Sequence, residues 1–177
     1  MKKKFNTYGI LGVDQKDLIE IYKQGNKYDE LMDILIDLFL EYYFDSQTKF
    51  FLTNCEVGTS MLCAEIIAKF MKYWPRDVYL YSILPFENRE KKLPVKYRKR
   101  YKKLVKSCNI TAYLRKDYKK GCVFRTETLV IRECNVIFAI CNLKNTSRLA
   151  MLINVVFEKD KRLIILDIDT LNIITFY

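Results

Sequence analysis

Short apolar runs alternate with longer amphipathic stretches along nearly the whole chain, and this alternation limits the fold more than any other feature. Residues Phe5–Ile10, Phe50–Thr53, Val78–Leu84, Asn109–Leu114, Asn135–Cys141, Leu163–Asp167 and Ile173–Phe176 read as strands. Between them, helical spacing of apolar residues runs over Tyr28–Phe44, from Met61 to about Tyr73, and over Val95–Ser107, Cys122–Glu133 and Arg148–Glu158. Asp14–Gln24 reads as a short helix or a loop with helical turns, broken at Gly25-Asn26. The strand segments are apolar on both faces. The expectation is therefore an α/β fold, a doubly wound and mostly parallel sheet with helices on both faces. Such sheets bind ligands beyond the carboxyl ends of their strands. The loops to inspect are then Gly9–Gly12, Asn54–Ser60, Pro85–Arg89, Arg115–Arg125 and Asn142–Ser147.

The most telling of these follows Phe50–Thr53. Asn54 and Gly58 bracket a turn, and Thr59 or Ser60 can cap the helix that starts near Met61. A loop of Gly58, Thr59 and Ser60 at a helix N-terminus offers N–H and O–H donors at the positive end of the helix dipole. This is chemistry suited to phosphate, and equally to an ordinary βα turn. Gly9 and Gly12 near the first strand would allow close backbone approach to a ligand. Pro85, Glu87 and Asn88 form the loop after the third strand, where Glu87 and Asn88 could hydrogen-bond a base or ribose. Arg125 could grip a phosphate bidentately or make a surface ion pair. Thr146 and Ser147 could cradle a second phosphate or cap the last helix.

The chain has 177 residues, which suits one domain over 1–177. The six Cys form no C-x-x-C pair and mostly sit in apolar patterns, so free buried thiols are expected. Histidine is absent, which removes His-based acid–base catalysis and most catalytic zinc sites. No apolar run approaches membrane-spanning length and no signal-peptide core follows Met1, so a cytoplasmic location without membrane contact is expected. The net charge of +10 is concentrated. Fourteen Lys and Arg lie between Arg89 and Lys120 against two acids, a local +12 that leaves −2 for the rest. Lys92, Lys96, Arg98, Lys99, Arg100, Lys102, Lys103 and Lys106 form a ladder on the helix that Pro94 opens, with Tyr97, Tyr101 and Tyr113 interleaved. Lys119 and Lys120 continue it in the next loop. Such a segment meets nucleic acid or an acidic protein, or is simply the solvated face of a helix whose inner face, Tyr97, Tyr101, Leu104, Val105 and Cys108, is core.

Several motifs together resemble the SLOG superfamily of Rossmann-like proteins, and within it the small YpsA-like bacterial proteins. They are Thr53-Asn54-Cys55-Glu56-Val57-Gly58-Thr59-Ser60 before Ala64-Glu65, Ile83-Leu84-Pro85-Phe86-Glu87-Asn88-Arg89, Tyr97-Arg98-Lys99-Arg100-Tyr101, and Arg125 ahead of Ala139-Ile140-Cys141-Asn142. The resemblance implies a Rossmann-like fold that binds a nucleotide or a nucleotide-derived ligand, for which an ADP-ribose derivative is a candidate; no metal site is expected from the residues. The family pattern has Gly at the place of Asn54 and Asp at the place of Ser60. Its Gly-Gly-Thr-like late loop is here Asn145-Thr146-Ser147. The Pro-Gly-Gly-x-Gly-Thr-x-x-Glu motif of its phosphoribohydrolases is absent. Non-catalytic binding is thus the first expectation. The alternative is a binding or inhibitory module, such as a phage-encoded anti-defence protein, that works through the basic segment. A hydrolase acting on a nucleotide N-glycosidic bond through Glu65 or Glu87 is the weakest reading, because no paired carboxylates support it. The oligomeric state, a homodimer included, stays open.

Overall fold

The computed structural model describes residues 7–12, 18–19, 25–46, 50–74, 78–144 and 147–177, with the side chains of 44–46 and 147–150 outside the description. In chain order the elements are β1 (Thr7–Gly12), α1 (Lys27–Ser46), β2 (Phe50–Thr53), α2 (Thr59–Tyr73) and β3 (Tyr79–Leu84). A 3-10 turn (Arg89–Lys92) precedes α3 (Val95–Ser107) and β4 (Ile110–Tyr113). Then come α4 (Cys122–Glu133), β5 (Val136–Cys141), α5 (Ser147–Glu158), β6 (Arg162–Asp167) and β7 (Ile173–Phe176). Apart from Leu18-Ile19, which are helical, the expected Asp14–Gln24 segment lies outside the described residues, as does Pro75.

The seven strands form one sheet in the order β4-β3-β2-β1-β5-β6-β7, parallel except for β7, which runs antiparallel to β6. The chain builds outward from β1 to β4, then returns to place β5 on the other side of β1. This is a doubly wound, Rossmann-like sheet, and its direction of winding reverses between β1 and β5.

The two faces have separate cores. On one face Tyr8, Ile10, Phe51, Leu80 and Phe138 pack under apolar residues of α1, α2 and α3, among them Leu35, Phe39, Ile67 and Leu104. Its centre is aromatic: the Tyr8 ring stacks on Phe138 at 5.1 Å, and Phe39 meets Phe51 and Phe138 edge-on. On the other face Leu11, Leu52, Ile137, Leu163 and Ile165 pack under Val130, Ile131, Leu152 and Val156 of α4 and α5. All six cysteines are unpaired, and only Cys108 is less than buried. Burial pushes the thiol of Cys141 up to about 12, so it stays protonated.

The first strand requires a correction. It runs to Gly12, so Gly9–Gly12 is strand rather than a loop beyond it. Gly9 is buried and paired with Leu52 and Ile137. A Cβ there would lie 2.8 Å from both Val130 Cγ1 and Ile137 Cδ1, so its missing side chain lets α4 sit close on the sheet. At Gly12 a Cβ would lie 2.3 Å from the backbone nitrogen of Ser60 and from Thr59 Oγ1. Side-chain tips can move aside and a helix backbone cannot. Gly9→Ala should therefore cost about 1–3 kcal/mol. Gly12→Ala should cost clearly more than Gly9→Ala, as chemical denaturation of both variants would measure.

Candidate ligand cleft at the strand ends

The reversal of winding between β1 and β5 defines the cleft. The helix that follows β1, α1, packs on one face of the sheet, and the helix that follows β5, α5, packs on the other. What fills the gap is the first turn of α2. Gly12 stands level with Ile140 of β5, and Thr59 donates its hydroxyl to the Ile140 carbonyl at 3.1 Å. Thr53, Asn54, Thr59 and Ser60 are all 0–2% exposed.

These buried polar groups satisfy one another. Ser60 Oγ donates to Asn54 Oδ1 at 2.9 Å, and Thr53 Oγ1 lies 3.0 Å from Ser60 Oγ. Asn54 Oδ1 also accepts the Glu56 N–H, and Thr53 Oγ1 accepts the Cys55 N–H. The side-chain bonds hold the tight path of the backbone, in which Cys55 takes a φ of 54° and Gly58 a φ of 139°. The expected cap differs in kind. Gly58 occupies the N-cap of α2 with no side-chain hydrogen bond, and the hydroxyls of Thr59 and Ser60 turn inward to the sheet. They form the floor of the cleft.

The rim comes from the other loops. Pro85 and Phe86 are buried, while Glu87 and Asn88 are exposed, with Asn88 left-handed at a φ of 54°. The Glu87 N–H bonds the Arg115 carbonyl, which ties the loop after β3 to the loop after β4. Arg89 grips Glu56 bidentately at 3.1 and 2.8 Å. Burial works against its charge, but the hydrogen bond and charge of Glu56 outweigh that and hold Arg89 above its ordinary pKa. Arg125 is exposed in the first turn of α4, which opens after Gly121. Ser147 is the first residue of α5, and Thr146 lies outside the described residues.

Two acids that carry no motif organise this edge. Asp167 ends β6 and accepts the N–H groups of Leu143 and Asp169 and the hydroxyl of Thr170, which fixes the loops after β5 and β6 together. Asp169 in turn holds Lys144 at 2.5 Å and Lys27 at 3.5 Å. The hydrogen bond and charge of Lys144 lower the Asp169 pKa. An Asp closing an apolar strand before Asp169-Thr170 was the available signal. Glu127, buried in α4 at 2% exposure, offered none.

The basic ladder divides into engaged and unengaged residues. Arg98 donates to the carbonyls of Leu93 and Lys91, Arg100 holds Glu65 at 2.6 and 2.5 Å, and Lys102 lies 3.6 Å from Glu90. Lys96 covers the Tyr97 ring at 5.1 Å. Lys92, Lys99, Lys103, Lys106, Lys119 and Lys120 are exposed and form no ion pair among the described residues. Tyr101 points into the core at 3% exposure, away from the ladder.

The described residues hold no cluster of acids and thiols that could ligate a metal, and no helix among them is long and apolar enough to cross a membrane. The family model of the YspA SLOG family matches residues 10–172. No curated protein sequence matches the chain. If Thr59 locks the cleft floor, Thr59→Val should leave the Ile140 carbonyl without its donor and cost about 1–3 kcal/mol, read as a lowered denaturation midpoint.

Proposed function

Because the chain belongs to the YspA SLOG family, we propose that it binds a nucleotide or nucleotide derivative, without chemistry, across the carboxyl ends of β1 and β5. The observation that carries the reading is the strand order, which reverses between these two strands and leaves the crevice in which doubly wound sheets hold ligands. The crossover helices α4 and α5 run back against their strands, so both N-termini face the same edge as the crevice. Arg125 in the first turn of α4 supplies a cation for phosphate. The first turn of α5, which opens at Ser147, supplies backbone N–H groups. Glu87 and Asn88 on the exposed rim can meet a base or ribose.

Thr59 and Ser60 have a different part in this reading from the one their position suggested. Their hydroxyls are occupied within the floor, so a ligand lies above them and takes its donors from α4 and α5. The absence of chemistry rests on the carboxylates. Glu65 is held by Arg100 on the flank of α2, Glu56 is held by Arg89, and Glu87 stands on the rim in a separate loop.

Isothermal calorimetry against ADP, ADP-ribose and a cyclic dinucleotide tests the reading. At least one should give saturable heat, and Arg125→Ala should weaken it about tenfold or more, the loss of a charge-assisted hydrogen bond. Failure of every compound at millimolar concentration would overturn it.

A further inference from the structure

We propose that the β4 edge of the sheet, with α3 on one side and the loop after β4 above it, is a binding surface for single-stranded nucleic acid. The proposal rests on residues outside the strand-end cleft and stands independently of the nucleotide reading.

Three observations bear on this edge and on the helix beside it, whose Lys103 also borders the groove against Lys69 and Lys72 of α2. The first is uncompensated charge. Lys99, Lys103 and Lys106 recur at helical spacing along the exposed side of α3, a helix about 20 Å long. All three are free of ion pairs among the described residues. The second is missing cover. β4 is the last strand on its side, and Ile110 and Tyr113 are 58% and 47% exposed, unlike any residue of β1 to β3. The third is a hollow of about 480 Å³ lined by residues 114–119, where Arg115, Lys116 and Lys119 stand with Tyr118 against the single acid Asp117.

Tyr118 decides between polyanions. The residue is 59% exposed, and its ring stands edge-on to buried Phe86 at 5.4 Å and 80°, which keeps the ring at the surface beside the cations. Tyr113 ends the adjacent strand. Cations with oriented, accessible rings among them match a strand whose phosphates need charge and whose unpaired bases need a face to stack on. A duplex keeps its bases stacked internally and would leave the rings unused. An acidic peptide would need the lysines alone. A second copy of this chain is opposed by the +12 carried over Arg89–Lys120.

Fluorescence anisotropy of the full chain with labelled oligo-dT and oligo-U, a duplex, and polyglutamate, each over a salt series, tests this. The single strands should bind, with log K falling linearly against log salt. Lys99→Ala/Lys103→Ala/Lys106→Ala should reduce that slope by about two. Tyr113→Ala/Tyr118→Ala should weaken binding at least about fivefold with the slope unchanged, and Tyr118→Phe should retain it. All the substituted side chains are exposed, and thermal unfolding of each variant should match that of the parent. The proposal is overturned if no single strand binds at low salt. It is equally overturned if duplex or polyglutamate binds as well, or if removing both rings changes nothing.

Discussion

The seating of α2 on the end of β1 is the constraint from which the rest of the strand-end architecture follows. In a doubly wound sheet the crevice at the point of reversal is open unless something enters it. Here a helix backbone enters it, made possible by the absence of a side chain at Gly12. The Thr59 hydroxyl then reaches the Ile140 carbonyl and joins α2 to β5, an element 81 residues away in sequence. One contact therefore sets the height of α2 over the sheet, the closure of the gap between β1 and β5, and the floor over which any ligand must lie. Each polar group brought into that dry position has a partner, as burial demands.

The two ends of the sheet have opposite characters. At the β4 end the surface is cationic and nearly without acids. At the β7 end it is apolar and mixed in charge, with Phe157 against Phe176 and Arg162 stacked over Tyr177. The separation matters because the charge is so concentrated. Arg89, Arg98 and Arg100 are held by local partners around α3, where the unpaired exposed cations are lysines, while Arg115 stands exposed in the loop after β4. Arginine suits fixed bidentate contacts, and lysine keeps its mobility on a long stem. Around α3 the arginines thus serve structure, and Lys99, Lys103 and Lys106 present charge.

The alternation of strands and helices was legible because strands apolar on both faces belong to buried parallel sheets, and the limits of α3 and α4 fell where proline and glycine put them. The extent of β1 was misread because Gly9 and Gly12 look like loop residues, while their role is close packing against α4 and α2. The inward side of α3 was legible too, because helical spacing puts Tyr101 on one face with Leu104; both are buried, and burial pushes the Tyr101 phenol pKa up. Asp167 and the Arg89–Glu56 pair have no local signature for a different reason. Both act between segments distant in sequence, where local spacing carries no information.

The departures from the family pattern become intelligible as a unit. Asn54 stands where the resemblance places Gly, and Ser60 where it places Asp. Their side chains hydrogen-bond each other at 2.9 Å inside the turn. Either change alone would lose that bond and leave Ser60 with Thr53 Oγ1, or Asn54 Oδ1 with the Glu56 N–H, as the remaining partner. Together they close a network that also takes in Thr53 and the Glu56 N–H. A glycine and an acid would leave this turn more open and more anionic. The asparagine and serine make it neutral, filled and self-satisfied. The same fold is thereby kept with its floor sealed, so that in the proposed reading a ligand takes its contacts from the rim, from Arg125 and from the helix termini of the opposite face.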